Sequence, residues 1–265
     1  MIRFIITFFM LFSIELRAET MRLAATTSFN NSGLSNVLLP AIRMDTGLDV
    51  QLVIVGTGQA IRLGEAGDVD AILVHSKAAE EAFVAAGFGT HRRNIMYNDF
   101  VLIGPRLDPA KISEAASALE ALQLIFAAKE NFVSRGDDSG THKKELALWS
   151  AAILDSKSFG PWYKAVGAGM GASLNSASGL NSYIMADRAS WANFGNKGTL
   201  ALLFSGDPIL LNQYAYIAVN SDLHSHVKIQ AARRLEKWLL SARAKNIINN
   251  YKIKGQALFT FNGAP

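Results

Sequence analysis

From Met21 onward, short apolar or β-branched runs alternate with segments of helical spacing, and this alternation limits the fold more than any other feature of the chain. Met21 to Ala25 (MRLAA) reads as a strand, Thr26 to Ser32 as a polar loop, and Gly33 to Met44 as a helix stopped by Asp45, Thr46 and Gly47. Val50 to Val55 (VQLVIV) is a second strand, Gly56 to Gly58 leads into a helix over Gln59 to Glu65, and Ala71 to Val74 (AILV) is a third strand before a helix over Lys77 to Ala86. A β-α-β-α-β order points to an α/β fold, a parallel sheet with helices on both faces, which gathers ligands at the carboxyl ends of its strands. The order restarts after Phe100 to Ile103 (FVLI), with a helix over Ile112 to Lys129, a strand over Phe132 to Ser134 and a helix over His142 to Ile153. No Pro/Gly/Ser linker divides the two halves. We therefore expect them to be joined by crossing strands, Tyr97 to Ile103 outward and Tyr214 to Asn220 back, followed by helices over Arg233 to Leu240 and Ala242 to Asn249.

Composition removes several kinds of chemistry. At 265 residues and 50% hydrophobic content, the chain is large enough to bury a sizeable core. Its 26 Lys+Arg and 22 Asp+Glu leave a formal charge of only +4 with no dense basic block, which argues against nucleic acid as a partner. The absence of Cys excludes disulfides, Cys-ligated zinc, iron–sulfur clusters and thiol catalysis, and leaves no residue for a lipid anchor. Residues 1–18 combine Arg3, the apolar run Phe4 to Ile14 and a small residue, Ala18, at a cleavage point, so they read as a cleavable secretory signal. The run is too short for a bilayer, which needs about 20 residues.

Three loops share one design: each follows a strand, leads into a helix and is crowded with Ser, Thr and Gly. They are Thr26, Thr27 and Ser28; Gly56 to Gln59; and Ser134 to Thr141. A helix N-terminus presents unpaired N–H groups and a partial positive charge, glycine admits close approach, and hydroxyls add donors. Any one loop is accounted for by capping or a tight turn. All three together, with the fork of Arg135 set at the cleft surface, point to an anion site.

Other motifs carry less. Gly56-Thr57-Gly58 lacks the third glycine of a dinucleotide fingerprint, and no Gly-Lys-Ser/Thr follows it. Arg135-Gly136-Asp137 is too short a signal to assign adhesion. His224 and His226 read as a solvated loop and not as a metal pair, and Ser139 beside His142 lacks the third member of a nucleophilic triad. Neither a catalytic group nor a cation site is expected, and Trp162, Tyr163, Tyr214 and Tyr216 are expected to pack the core or the domain interface.

The stretches ATTSFNNSGL (25–34), VGTGQA (55–60), GDVDAILVHS (67–76), RRNIMYNDFVLIGP (92–105), FVSRGDDSGTHKKELALW (132–149), GPWY with GAGMG (160–171) and GQALF (255–259) resemble the periplasmic tungstate-binding proteins of Tup-type ABC transporters. The resemblance implies a two-lobed type II periplasmic-binding-protein fold, with residues 19–100 and 216–265 in one lobe and 101–215 in the other. It implies a periplasmic solute-binding protein, a monomer and not an enzyme, that needs no cofactor, takes tungstate or molybdate, and meets a membrane permease. Carried over by position, the anion ligands are Thr27, Ser28, Thr57, Gly58, Arg135, Ser139, Gly140 and Thr141. The sequence departs from the family pattern at Ala25, Ala168 and Ala186, which leaves the role of Tyr183 open. The third loop also fits the Arg-x-Asp-x-Ser-Gly-Thr pattern of phosphate-binding proteins, so phosphate stays as an alternative ligand and an oxyanion sensor as an alternative role. For a fully deprotonated anion, Asp137 is expected to turn away and leave a pocket of donors only.

Overall fold

The computed structural model describes residues 19–264; the signal-like segment 1–18 lies outside them. In chain order the strands are β1 (Glu19–Thr26), β2 (Leu48–Val55), β3 (Ala71–Val74), β4 (Arg93–Pro105), β5 (Phe132–Ser134), β6 (Tyr163–Ala165), β7 (Tyr183–Asp187), β8 (Leu200–Phe204), β9 (Leu211–Ala218), β10 (Lys252–Ile253), β11 (Gln256–Ala257) and β12 (Thr260–Phe261). The helices are α1 (Thr27–Asn31), α2 (Ser35–Thr46), α3 (Thr57–Glu65), α4 (Lys77–Ala85), α5 (Ala118–Ala128), α6 (Gly140–Ala151), α7 (Met170–Leu180), α8 (Arg188–Asn193), α9 (Ile229–Leu239) and α10 (Ala242–Asn250).

Strands run in the order β2-β1-β3-β9-β4-β7-β5-β6, so one ribbon of sheet passes through both halves of the molecule. β1 pairs in parallel with β2 and β3, and β5 in parallel with β6 and β7. Long strand β4 joins the two sets: Arg93 to Asp99 pair antiparallel with β9, and Phe100 to Ile103 antiparallel with β7. The return strand β9 starts at Leu211, earlier than the sequence placed it. Residues 211–215, given to the second lobe on sequence, therefore pair with β3 and the first half of β4. Each half carries helices on both faces of its sheet. In the first half one buried cluster joins Leu23, Leu38, Ile42, Leu235 and Trp238, and a second joins Ile72, Val74, Phe83 and Ile217. In the second half, Leu122, Phe132, Trp149 and Tyr183 fill one face, and Val133, Met170, Leu174 and Ile184 the other. This is a mixed α/β fold of two lobes.

Local chemistry explains where the sequence reading and the structure differ. Thr26 to Ser32 is not a loop: Thr26 Oγ1 accepts from Phe29 N at 3.2 Å and caps the short helix α1. The single helix expected over Ile112 to Lys129 is broken. Asp108 accepts from the N–H groups of Ile112 and Ser113, and the segment Ser117 to Glu120 makes a capping arrangement that starts α5 afresh. Helices α3 and α6 begin two residues earlier than their strong helix formers suggest, which makes Thr57, Gly58, Gly140 and Thr141 first-turn residues.

Helix α6 is held in the second lobe by a buried polar contact. The Trp149 indole donates to Glu145 Oε1 at 3.2 Å, the Tyr163 hydroxyl donates to the same oxygen at 2.6 Å, and Trp149 packs edge-on to Phe132 and Phe159. Burial pushes Glu145 up from 4.5 to about 7, against the pull of these hydrogen bonds. Between those two values the unfolded chain releases a proton that the native state keeps, so native stability declines as pH rises through this window. Glu145→Gln is expected to remove that slope in urea denaturation across the same window. A variant with the wild-type slope would contradict the assignment.

Candidate oxyanion site

The carboxyl ends of β1, β2, β3, β5 and β7 all open onto the cleft between the halves, where a ligand of such a sheet is expected. Thr27 and Ser28 open α1 after β1, Thr57 and Gly58 open α3 after β2, and Ser139 caps α6 with Gly140 and Thr141 in its first turn. The first N–H groups of a helix have no partner within it, so α3 and α6 aim donors from opposite sides.

Arg135 ties these loops together. Its Nη2 donates to Thr27 Oγ1 at 3.2 Å across the cleft, its Nη1 to Thr141 Oγ1 at 3.4 Å, and its Nε to the Ala168 carbonyl at 3.4 Å. The side chain is 1% exposed, so the expectation of an arginine at the cleft surface is corrected to one buried between the lobes. The Ala168 contact is made by a backbone carbonyl and does not depend on the residue's short side chain. Gly58 N–H donates to the Asp138 carbonyl at 3.2 Å, a second bond between halves, and Arg62 reaches Asp138 Oδ2 at 3.3 Å beside it. Ser139 Oγ accepts from His142 N at 3.2 Å and keeps its own proton free to donate.

Asp137 does not turn away. Its Oδ2 accepts from Arg135 Nη2 at 2.5 Å and its Oδ1 from Ser139 N at 3.2 Å. Gly136, at φ +61°, folds the loop back so that the next side chain returns to the arginine, and a Cβ there would lie 2.9 Å from that of Ala165. Tyr183 stands outside this group: its hydroxyl donates to Asp108 Oδ1 at 2.8 Å and accepts from Ala110 N. The rings of His224 and His226 are bonded to the carbonyls of Glu65 and Gly67, and no cluster of metal-ligating side chains occurs among the described residues.

The PBP superfamily domain matches residues 15–243. The tungstate-binding protein TupA of Peptoclostridium acidaminophilum is 45% identical over 246 residues, covering 91% of this chain and 85% of that one. The tungstate-binding protein TupA of Campylobacter jejuni is 35% identical over 241 residues, 89% of this chain and 88% of its own. The chain belongs to the TupA family of the PBP superfamily. A solved structure, that of the tungstate ABC transporter from Geobacter sulfurreducens, is 44% identical with a TM-score of 0.81, over 88% of this chain and 99% of its own. The tungstate-binding protein TupA from Desulfovibrio alaskensis gives a TM-score of 0.78 at 42% identity, over 93% of this chain and all of its own.

This TupA-family cleft holds more polar groups than the three loops revealed. Buried side-chain atoms without a hydrogen-bond partner concentrate there: Ser28 Oγ, Thr57 Oγ1, both ring nitrogens of His75, Asp187 Oδ2, Asn212 Oδ1 and Tyr214 Oη. Buried polar groups are normally paired, so such a concentration marks a place built for a polar ligand. The His75 ring packs at a tilt against Tyr214, 4.9 Å between centroids, and burial, aided by the Arg135 charge, pulls its pKa down to about 3. It therefore faces the cleft as neutral imidazole. His75, Asp187 and Asn212 went unnoticed in sequence because each is a lone polar residue at a strand end. His75 directly after the buried run AILV was the available signal.

Gly140 lies against His75 from the opposite lobe. A Cβ built on it would come 2.7 Å from His75 Nδ1 and 2.9 Å from the His75 carbonyl oxygen. Gly140→Ala should hold the halves apart, seen as a larger radius of gyration in small-angle scattering at a nearly unchanged melting temperature. Unaltered scattering would show that this contact does not limit closure.

Proposed function

We propose that the cleft captures tungstate, or molybdate, as a tetrahedral dianion and that the protein delivers it to the membrane permease of an ABC transporter. The reading rests on one observation: a fully buried guanidinium bonded to hydroxyls of both lobes, at the point where the first turns of α3 and α6 converge. Thr27, Ser28, Thr57, Arg135, Ser139, Gly140 and Thr141 are the proposed ligands. Gly58 N–H has a competing acceptor in Asp138 O and reaches an anion only by releasing it.

A tetrahedral dianion offers oxygens in four directions, which suits donors arriving from two lobes. Hydrogen bonds to a charged group contribute about 1.5 to 3 kcal/mol each, and several together can offset the desolvation of a dianion. An anion bonded to both lobes also holds the cleft shut, so capture and closure are one event. The Ser139 hydroxyl caps its own helix, and the His142 ring nitrogen Nδ1 accepts from Asp138 N, so the His142 imidazole is not free to activate Ser139. The role is binding, not catalysis. The proposed role is that of a periplasmic protein. Among the described residues no helix is long and apolar enough to cross a membrane.

Asp137 favours a second reading. Its carboxylate beside Arg135 is an acceptor that a proton-bearing anion such as phosphate can use, whereas for tungstate it is a competitor for the arginine. Isothermal titration with tungstate, molybdate, sulfate and phosphate decides between them, with the metalates expected to bind tightest and tighter phosphate binding overturning the assignment. Arg135→Ala should weaken tungstate at least about 100-fold, the worth of two charge-assisted hydrogen bonds, in a protein whose folding is verified by thermal denaturation. Unchanged affinity would remove Arg135 from the site.

A further inference from the structure

Asp187 ends β7 and caps α8 on the cleft side of the second lobe, and it is fully buried. Its hydrogen bonds are lopsided. Oδ1 accepts from Ser190 N at 2.9 Å and from Asn98 Nδ2 at 3.5 Å, while Oδ2 has no partner. Among the described residues no cation pairs with it either. Arg188, its neighbour in sequence, is bound to Asp99 at 2.7 and 2.5 Å, and Arg135 is engaged with Thr27, Thr141, Ala168 and Asp137.

The other groups around Asp187 come from several elements: Ser28 of α1, Asn98 of β4, Tyr214 of β9 and, farther off, Arg135 after β5. Burial pushes the Asp187 carboxyl up, against the pull of Ser190, the Ser28 hydroxyl and Arg135. A carboxylate in this position would be a buried charge without a counterion beside an incoming dianion, two like charges where water cannot screen them. One oxygen collecting the donors and the other left without any is the pattern of a carboxylic acid, whose second oxygen carries a proton.

Ser190 brings Asp187 and Ser28 together: its N–H donates to Asp187 Oδ1 at 2.9 Å and its hydroxyl to the Ser28 carbonyl at 3.5 Å. The Ser28 hydroxyl is equally buried and equally unpartnered, and it comes from the opposite lobe. A hydroxyl has one proton to give. Facing an ionised Asp187, Ser28 would donate to it and turn a lone pair to the anion. Facing a neutral acid, Ser28 accepts from Asp187 and its own proton is free for an anion oxygen.

We propose that Asp187 stands as a neutral carboxylic acid and that, once an oxyanion draws Ser28 Oγ within reach of Oδ2, it donates to that hydroxyl across the cleft and so sets Ser28 as a donor to the oxyanion. Asp187 is thus a positioning residue that acts through Ser28. The inference rests on the reading of Ser28 as an anion ligand. It also answers how a dianion is accepted beside a second carboxyl group in addition to Asp137.

Two variants test it, both retaining a residue able to cap α8. Asp187→Ser is too short to reach Ser28 and should bind tungstate about tenfold more weakly, the effect of one hydrogen bond; Asp187→Asn donates as the acid does and should recover affinity to within about threefold of wild type. Infrared difference spectra of the tungstate complexes, wild type against Asp187→Asn, should show the carbonyl stretch of a protonated carboxyl group, a signature that a purely structural cap would not give. Absence of that band, or an Asn variant as weak as the Ser variant, overturns the proposal. Arg135→Ala distinguishes the two levels of failure. If it keeps tungstate affinity, the site itself is misread; if it loses affinity while the Asp187 band is absent, only the role of Asp187 is wrong.

Discussion

A guanidinium taken out of water has to find acceptors within the protein, and Arg135 finds them on both sides of the cleft. Thr27 lies on one lobe, Thr141 and the Ala168 carbonyl on the other, so a single side chain satisfies its own desolvation only when the halves are together. The bonds to hydroxyls and a carbonyl are neutral contacts, while Asp137 supplies the one opposite charge. A dianion is a stronger partner for the arginine than any of these, and it can draw on the same geometry. Affinity for an anion and closure of the lobes therefore share one source.

The rest of the cleft is arranged around that charge. Helices α3 and α6 contribute first-turn N–H groups from opposite directions, with glycine at the positions where the other lobe approaches most closely. His75 is kept neutral by burial and by the arginine, so it adds no charge of its own. Asp187, without a counterion, is best accommodated as an acid, which keeps the second lobe from opposing the ligand electrostatically. The concentration of unpartnered hydroxyl, imidazole and amide atoms follows from the same requirement, since a cleft that binds a polar ligand keeps some of its polar groups uncommitted.

The continuous sheet connects these local features to the shape of the molecule. Because β4 pairs with β9 over its first half and with β7 over its second, the lobes are joined by paired backbone and not by a flexible tether. The His75 ring packs at a tilt against Tyr214 of β9, and its centroid lies 6.0 Å from that of Phe100, the residue at which β4 changes partners. The floor of the cleft is thus built on the strands that join the halves.

Much of this was legible in the chain. The alternation of apolar runs and helical segments gave the α/β class, and β3 and β5 match the sequence reading to the residue. Strand ends and helix starts are local matters, decided by β-branched runs, caps and glycine, so nearby residues carry them. Some local outcomes turned on caps that composition does not reveal. Asp108 and Ser117 divided a segment whose composition favours one helix, and Thr26 turned an apparent loop into α1. The return of Asp137 to Arg135, the meeting of Asp187 with Ser28 and the burial of His75 arise only when the two halves of the sheet face each other. The sequence by itself determined which loops could receive an anion, because hydroxyls, glycines and helix starts are written locally. Which charges stand beside that anion, and in which protonation state, was decided by the tertiary structure, because desolvation and opposing charge act between residues that the chain alone never brings together.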